Sequence, residues 1–331
     1  MTFLKKAASL LIRLAISAVL LSLLFKSQKI DIPALLGSIM RANKPLLAAS
    51  FTIALLNYAL CFYRWKMLLD ASNIRPPLKK IISSFSGGIF FNSLLPSTVG
   101  GDVVRSLDLS AYTRRPKEVI ATVLLDRLSG YVGLVGVILL WLLLGWRLVC
   151  NSPAVLWSIA IIALLLAAIL LVLFNSFLFS RINSMLHPPR AGRIRESLKN
   201  LHQELHYFRN HKRVLFKNAM LSAFIQAVYP LSSYLIALAL GVKVSIIYFL
   251  VFIPIIGTIT LLPVAIGGLG LRENMFVFYF RQAGVPEGLS VAVSLVGFGF
   301  LVIHAAIGGL IYVLTVHHRR IQRHSSSVIP D

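Results

Sequence analysis

Apolar residues run through this chain in blocks too long for the interior of a soluble domain. Six uninterrupted stretches, at about 8–25, 45–63, 119–145, 154–175, 217–240 and 291–316, are long enough for an α-helix to cross a bilayer. Two more, at about 81–113 and 246–288, are apolar but broken near the middle by proline, glycine and charge. The pattern predicts an all-α integral membrane protein of about six full transmembrane helices plus two broken, re-entrant hairpins. An even number of crossings returns the C-terminus to the side on which the chain began.

The two interruptions resemble each other. LLPSTVGGDVVR spans residues 94–105 and LLPVAIGGLGLR spans residues 261–272. Both carry Leu-Leu-Pro, a Gly-Gly pair beginning four positions after the proline, and an arginine four positions after the second glycine. This internal match suggests an inverted repeat. Pro96 and Pro263 are expected to end a helix, and Gly100, Gly101, Gly267, Gly268 and Gly270 to let the backbone turn tightly. New helices are expected to start near Val103 and Leu271, with Arg105 and Arg272 in their first turns. Free backbone N–H groups at such helix starts favour an anion, and each arginine adds a full positive charge. Asp102 and Glu273 either hold these arginines in place or titrate. The plainer alternative is that both motifs are loops at the ends of ordinary spans, with proline and glycine acting only as helix stops.

Composition agrees with a membrane protein: 57% of the 331 residues are hydrophobic, 13% are charged, and the mean hydropathy is +0.82. The net charge of +22 would suggest nucleic acid in a soluble protein, but no nucleic-acid-binding motif accompanies it. The cations sit mainly between spans, which points to topology and anionic headgroups. With the N-terminus in the cytoplasm, the inside flanks collect 23 Lys and Arg and the outside loops collect six. Both termini are therefore expected inside, in a bacterial inner (plasma) membrane. Lys79 and Lys80 precede the first broken stretch and Arg114, Arg115 and Lys117 follow it, so it enters and leaves from the cytoplasm. The second lies between an outside loop at Lys243 and a descending last span, so it enters from the opposite face. Backbone broken at membrane depth must be buried in protein or line a wet cavity.

Other polar groups add candidates. Asp126 and Arg127 form a charged pair near the cytoplasmic start of a span, where ionisable residues are functional candidates by default. Asn57, Asn92 and Gln226 read as interhelical hydrogen bonds, although Asn92 also belongs to the first motif. His304 reads as a hydrogen-bonded packing residue sooner than a proton relay. Residues 181–216 form a basic cytoplasmic loop within a single transmembrane domain of residues 1–318, followed by a short tail at 319–331. His202 and His206 there share a helix face without the remaining ligands a metal needs. Cys61 and Cys150 support neither a disulfide framework nor a zinc site. GGLG at 267–270 lacks the strand context of a dinucleotide site. The N-terminal apolar run follows Lys5 and Lys6 like a signal peptide but has no small-residue cleavage site, so it reads as a retained span. No cofactor and no bound metal are expected.

FFNSLLPSTVGGDVVR together with LLPVAIGGLGLRENM resembles the lysylphosphatidylglycerol synthase transmembrane-region family, over nearly the whole chain. The signature positions fall on Asn92, Pro96, Gly100, Gly101, Asp102 and Arg105, then on Pro263, Gly267, Gly268, Gly270, Arg272 and Glu273. The resemblance implies a lipid-translocating membrane domain, which in the family's best-known members precedes a soluble aminoacyl-phospholipid synthase domain. This chain stops at Asp331 shortly after the last span, so lysyl transfer is not expected of it.

The leading expectation is a flippase-like transporter of an anionic or phosphate-bearing lipid, of the phospholipid, polyprenyl-phosphate or glycolipid class. The headgroup would meet Arg105 and Arg272 in one cavity. Three rivals share the same composition: an ion-coupled carrier of a small soluble anion, a membrane-embedded transferase using Asp102 or Asp126 as base, and a non-transporting partner of a separately encoded lipid-synthesis enzyme.

Overall fold

The computed structural model describes residues 2–28, 30–94, 100–146, 152–174, 212–261 and 268–326. Pro96, Pro263, Gly267, His202, His206, Cys150 and most of the predicted basic loop lie outside them. Among the described residues there are eleven α-helices and no strand. They are α1 (Thr2–Ser27), α2 (Ile32–Met40), α3 (Lys44–Ala71), α4 (Leu78–Leu94), α5 (Gly100–Thr113), α6 (Pro116–Leu144), α7 (Pro153–Phe174), α8 (Lys212–Ala239), α9 (Ile246–Ile259), α10 (Leu271–Phe280) and α11 (Glu287–Ser326).

Each of the six predicted crossings has its helix, in α1, α3, α6, α7, α8 and α11. Four of these, α3, α6, α8 and α11, hold a stretch long and apolar enough to cross a membrane throughout. Their outward faces carry large apolar side chains, such as Leu139, Leu140, Leu143 and Leu144 on α6 and Leu310, Val313 and Leu314 on α11. Water would penalise such faces, whereas lipid does not. The protein is an all-α, multi-pass integral membrane protein. Helix α2 lies where a loop was expected. Its nine residues are too short to register as a span, and Pro33 starts it at a position where a missing N–H costs nothing. The last helix continues through Ser326, into the predicted tail.

The two broken stretches are both helix pairs. In the first, Ser84 and Lys80 of α4 meet Asp108 of α5, a Cβ on Gly88 would lie against Arg105, and Asn92 meets Gly101. One number rises as the other falls, so α4 and α5 run antiparallel. In the second, Phe249 and Phe252 of α9 pack on Tyr279 and Phe280 of α10, and Thr260 lies beside Gly268. That pair is antiparallel too. At 1.5 Å per residue these helices are about 26, 21, 21 and 15 Å long, all short of a hydrocarbon core of about 30 Å.

The chain forms two compact units. One contains residues 1–58, 76–108 and 228–331, and so holds the second hairpin and the first as far as Asp108; within it α11 packs against both α4 and α10. The other contains residues 59–75 and 109–227. Its described interior is pinned by a polar cluster. Arg64 Nε donates to Asp126 Oδ1 at 2.8 Å, Arg64 Nη1 donates to Ser222 Oγ, and Asn218 Nδ2 donates to the Arg64 carbonyl. Gly130 and Gly133 leave room for this cluster, because a Cβ there would meet the Arg64 guanidinium and the Ser222 backbone.

Candidate functional site

Helix α5 begins at Gly100, three residues before the expected start at Val103. Asn92 explains the earlier start: its Oδ1 accepts the backbone N–H of Gly101 at 2.8 Å, so the side chain caps the helix from the end of α4. Arg105 consequently sits in the second turn rather than the first. Its Nη2 lies 3.0 Å from Asp102 Oδ1, and its guanidinium carbon sits 5.8 Å from the centre of the Phe85 ring. Both charged side chains are buried.

Helix α10 begins at Leu271, as the sequence predicts, and places Arg272 in its first turn. Gly270 takes φ +83°, a left-handed backbone that only glycine adopts without strain. A Cβ at that position would come within 2.7 Å of Leu20 on α1. Glu273 is fully buried, and its carboxylate is heavily bonded. Oε2 accepts the Gly270 N–H at 2.6 Å, while Oε1 accepts from Arg272 Nη2 at 2.9 Å and from Ser294 Oγ at 2.8 Å. Arg272 Nε also donates to Ser294 Oγ at 3.0 Å, and its guanidinium lies over Phe298 at 4.9 Å. Each motif thus presents the same unit: an arginine paired with a neighbouring acid and laid over a phenylalanine.

The pairs differ in what they face. Arg272 lines a cavity of about 320 Å³ together with Asn57, Thr260, Ser294 and His304. Arg105 is not among the residues lining it. Of the two motif arginines, it is Arg272 that belongs to the described lining of this cavity. No carboxylate lines it, since Glu273 is turned into the protein behind Arg272.

Asp126 has a partner that the sequence did not suggest. Arg64, on α3, holds its carboxylate, and the pair lies well below the surface, with side-chain exposures of 9% and 4%. Asp126 is ten residues, about 15 Å, along α6 from Pro116. It is thus part of the interior of its unit, and Arg127 beside it is half-buried. The second buried pair that sequence reading missed is Lys80–Asp108, at 2.6 Å inside the first hairpin. Lys80 looks like a cytoplasmic flanking charge in the sequence, yet its side chain is only 3% exposed.

Gln226 makes the expected interhelical bond, donating to the Gly130 carbonyl at 3.3 Å. Asn57 does not: its Oδ1 is buried without a hydrogen-bond partner. His304 is half satisfied. Nδ1 is 2.6 Å from the Phe300 carbonyl, the ring stacks on Phe51 at 4.4 Å, and Nε2 is buried with no partner. Among the described residues no group of three His, Cys, Asp or Glu side chains is arranged to hold a metal ion.

A family model described as the lysylphosphatidylglycerol synthase TM region matches residues 10–309 of this chain. Similar curated proteins include a UPF0104 membrane protein of Methanothermobacter thermautotrophicus, 27% identical over 262 residues, which cover 72% of this chain and 75% of that protein. A UPF0104 membrane protein of Pyrococcus horikoshii is 24% identical over 278 residues, covering 77% and 82% respectively. A second one from Methanothermobacter thermautotrophicus is 22% identical over 292 residues, covering 78% and 81%.

Proposed function

The chain belongs to the lysylphosphatidylglycerol synthase TM region family, and from that premise we propose that it is a flippase-like translocator of an anionic or phosphate-bearing lipid. The observation that carries this reading is Arg272. A half-buried arginine at a glycine-broken helix start forms the cationic wall of a cavity whose other described lining is neutral. A phosphate or carboxylate entering that cavity would meet Arg272 Nη1, the guanidinium nitrogen that makes none of the bonds to Glu273 and Ser294. Acyl chains would stay in the bilayer alongside the apolar outer faces.

Glu273 behind Arg272 sets its orientation and keeps the local charge near neutral. That balance suits a carrier, because a fully uncompensated cation would hold an anion too tightly to release it. Arg105, paired with Asp102 inside the first hairpin, is assigned to stabilising that hairpin. Both hairpins pack on α11, so displacement of either can change access to the cavity. We place the protein in the plasma membrane with both termini cytoplasmic, as the cation distribution favours, and assign it no chemical step of its own.

Native mass spectrometry of gently purified protein, wild type beside Arg272→Gln, tests the assignment. An anionic lipid retained by the wild type and lost from the folded variant supports it. Equal retention by both proteins, or no anionic lipid on either, counts against Arg272 as the headgroup group.

A further inference from the structure

The Arg272 cavity has a second polar wall, on α8. Tyr229, Ser232, Ser233 and Ile236 all line it, and steps of three and four residues place them on one face of that helix. Ser232 Oγ is committed to the Ser50 carbonyl of α3. Tyr229 Oη and Ser233 Oγ make no hydrogen bond among the described residues. Ser233 Oγ is nevertheless not one of the buried orphan atoms, so it touches open space. Tyr229 is 43% exposed and lies within electrostatic reach of Arg272.

Two uncommitted hydroxyls beside a guanidinium make a set of donors. Glu273 and Ser294 occupy the Nε and Nη2 edge of Arg272, which leaves the Nη1 end for a ligand. No Asp or Glu is among the cavity's described lining to compete for these donors. A guanidinium alone can hold a flat carboxylate, whereas donors on a second helix suit a tetrahedral phosphate, whose oxygens point in several directions. We propose that Tyr229 and Ser233 complete the headgroup site, their hydroxyls donating to oxygens of a phosphate whose charge is met by Arg272. This inference rests on the lipid-translocator reading above. It deepens that reading by adding α8 to the site and by selecting a phosphate ester over a carboxylate.

The test compares two lipids of like charge. Phosphatidylmethanol carries a phosphate diester and no headgroup hydroxyl, and diacylglycerol succinate carries a carboxylate. Each is titrated into detergent-purified full-length protein, with binding read by native mass spectrometry and from the lipid-induced rise of the thermal-unfolding midpoint. Wild type should bind phosphatidylmethanol about tenfold more tightly than the succinate lipid, the equivalent of one hydrogen bond to a charged group. Tyr229→Phe and Ser233→Ala should each weaken phosphatidylmethanol binding about tenfold, and succinate binding by about threefold or less. Neither should move the lipid-free midpoint, because neither hydroxyl holds a bond within the protein. A purely structural role would move that midpoint instead.

If either variant binds phosphatidylmethanol like the wild type while Arg272→Gln does not, the proposal is overturned and the translocator reading stands. Equal wild-type binding of the two lipids overturns the phosphate assignment in the same way. If neither lipid binds the wild type, both the proposal and the translocator reading fail. Inorganic phosphate separates the sources of the same chemistry. Displacement of phosphatidylmethanol by inorganic phosphate at comparable concentration would assign the site to a soluble anion and overturn its lipid basis. Weak or absent displacement supports a lipid headgroup.

Discussion

Asn92 Oδ1 accepts the backbone N–H of Gly101 across the break of the first hairpin, 2.8 Å away, and this one contact both caps α5 and closes the hairpin. The bond is possible only because Gly101 has no side chain. A Cβ there would strike the Gly88 carbonyl and come within 2.6 Å of Asn92 Cγ.

Gly101→Ala should therefore lower stability by about 1–3 kcal/mol, since backbone has to move to make room. Gly136→Ala, where a Cβ meets nothing within 4 Å, should leave stability within about 0.5 kcal/mol of wild type. The thermal midpoint in one detergent, followed by fluorescence-detected size exclusion, compares the two. Equal shifts would mean that the close approach of α4 and α5 is wrong.

Removing the cap itself has a smaller cost. Asn92→Ala should destabilise by about 1 kcal/mol, and Asn92→Asp should lose much less because it restores the acceptor. The same midpoint assay reads both variants. A loss with Asp as large as with Ala would argue against the capping bond.

Glu273 is a heavily committed acid, with Gly270, Arg272 and Ser294 all donating to it. Glu273→Ala should cost about 3–5 kcal/mol, because it leaves Arg272 without its charge partner and Gly270 without an acceptor. In a double-mutant cycle with Arg272→Gln, the two losses should fall short of additive by more than about 0.5 kcal/mol. Additive losses would deny the pairing.

Arg64 and Asp126 make a parallel case in the other unit. Arg64→Met should be strongly destabilising, by about 3–5 kcal/mol, since it leaves the Asp126 carboxyl without its partner in a closed interior. Arg64→Met with Asp126→Leu should be more stable than Arg64→Met alone. If the double variant unfolds at the lower temperature, the pair contributes more than mutual neutralisation.

Much of this architecture was legible in the sequence, for a physical reason. A bilayer requires long apolar helices, so α1, α3, α6, α7, α8 and α11 stand out by length alone, and the broken hairpins stand out as exceptions. The start of α10 was legible too, because Gly270 and Leu271 mark a boundary locally. Partner choice was not. Asp126 pairs with Arg64 62 positions away, and Lys80 turns inward to Asp108 although its neighbour Lys79 is exposed. Charge counting treats every lysine as wet, and only packing reveals which one is not. The cavity was likewise hidden: Asn57 and His304 read as ordinary packing residues until they are seen lining one cavity with Arg272.

The most direct measurement of the central claim is leaflet exchange in proteoliposomes. Vesicles holding a fluorescent phosphatidylglycerol are exposed to a membrane-impermeant quencher, and the rate at which the protected inner population becomes accessible is recorded. The account predicts exchange at least about tenfold faster with wild-type protein than in protein-free vesicles, with a fall toward the protein-free rate for folded Arg272→Gln; this corresponds to losing one charge-assisted contact. Wild-type vesicles no faster than protein-free ones, or an Arg272→Gln protein that exchanges lipid at the wild-type rate, would contradict it.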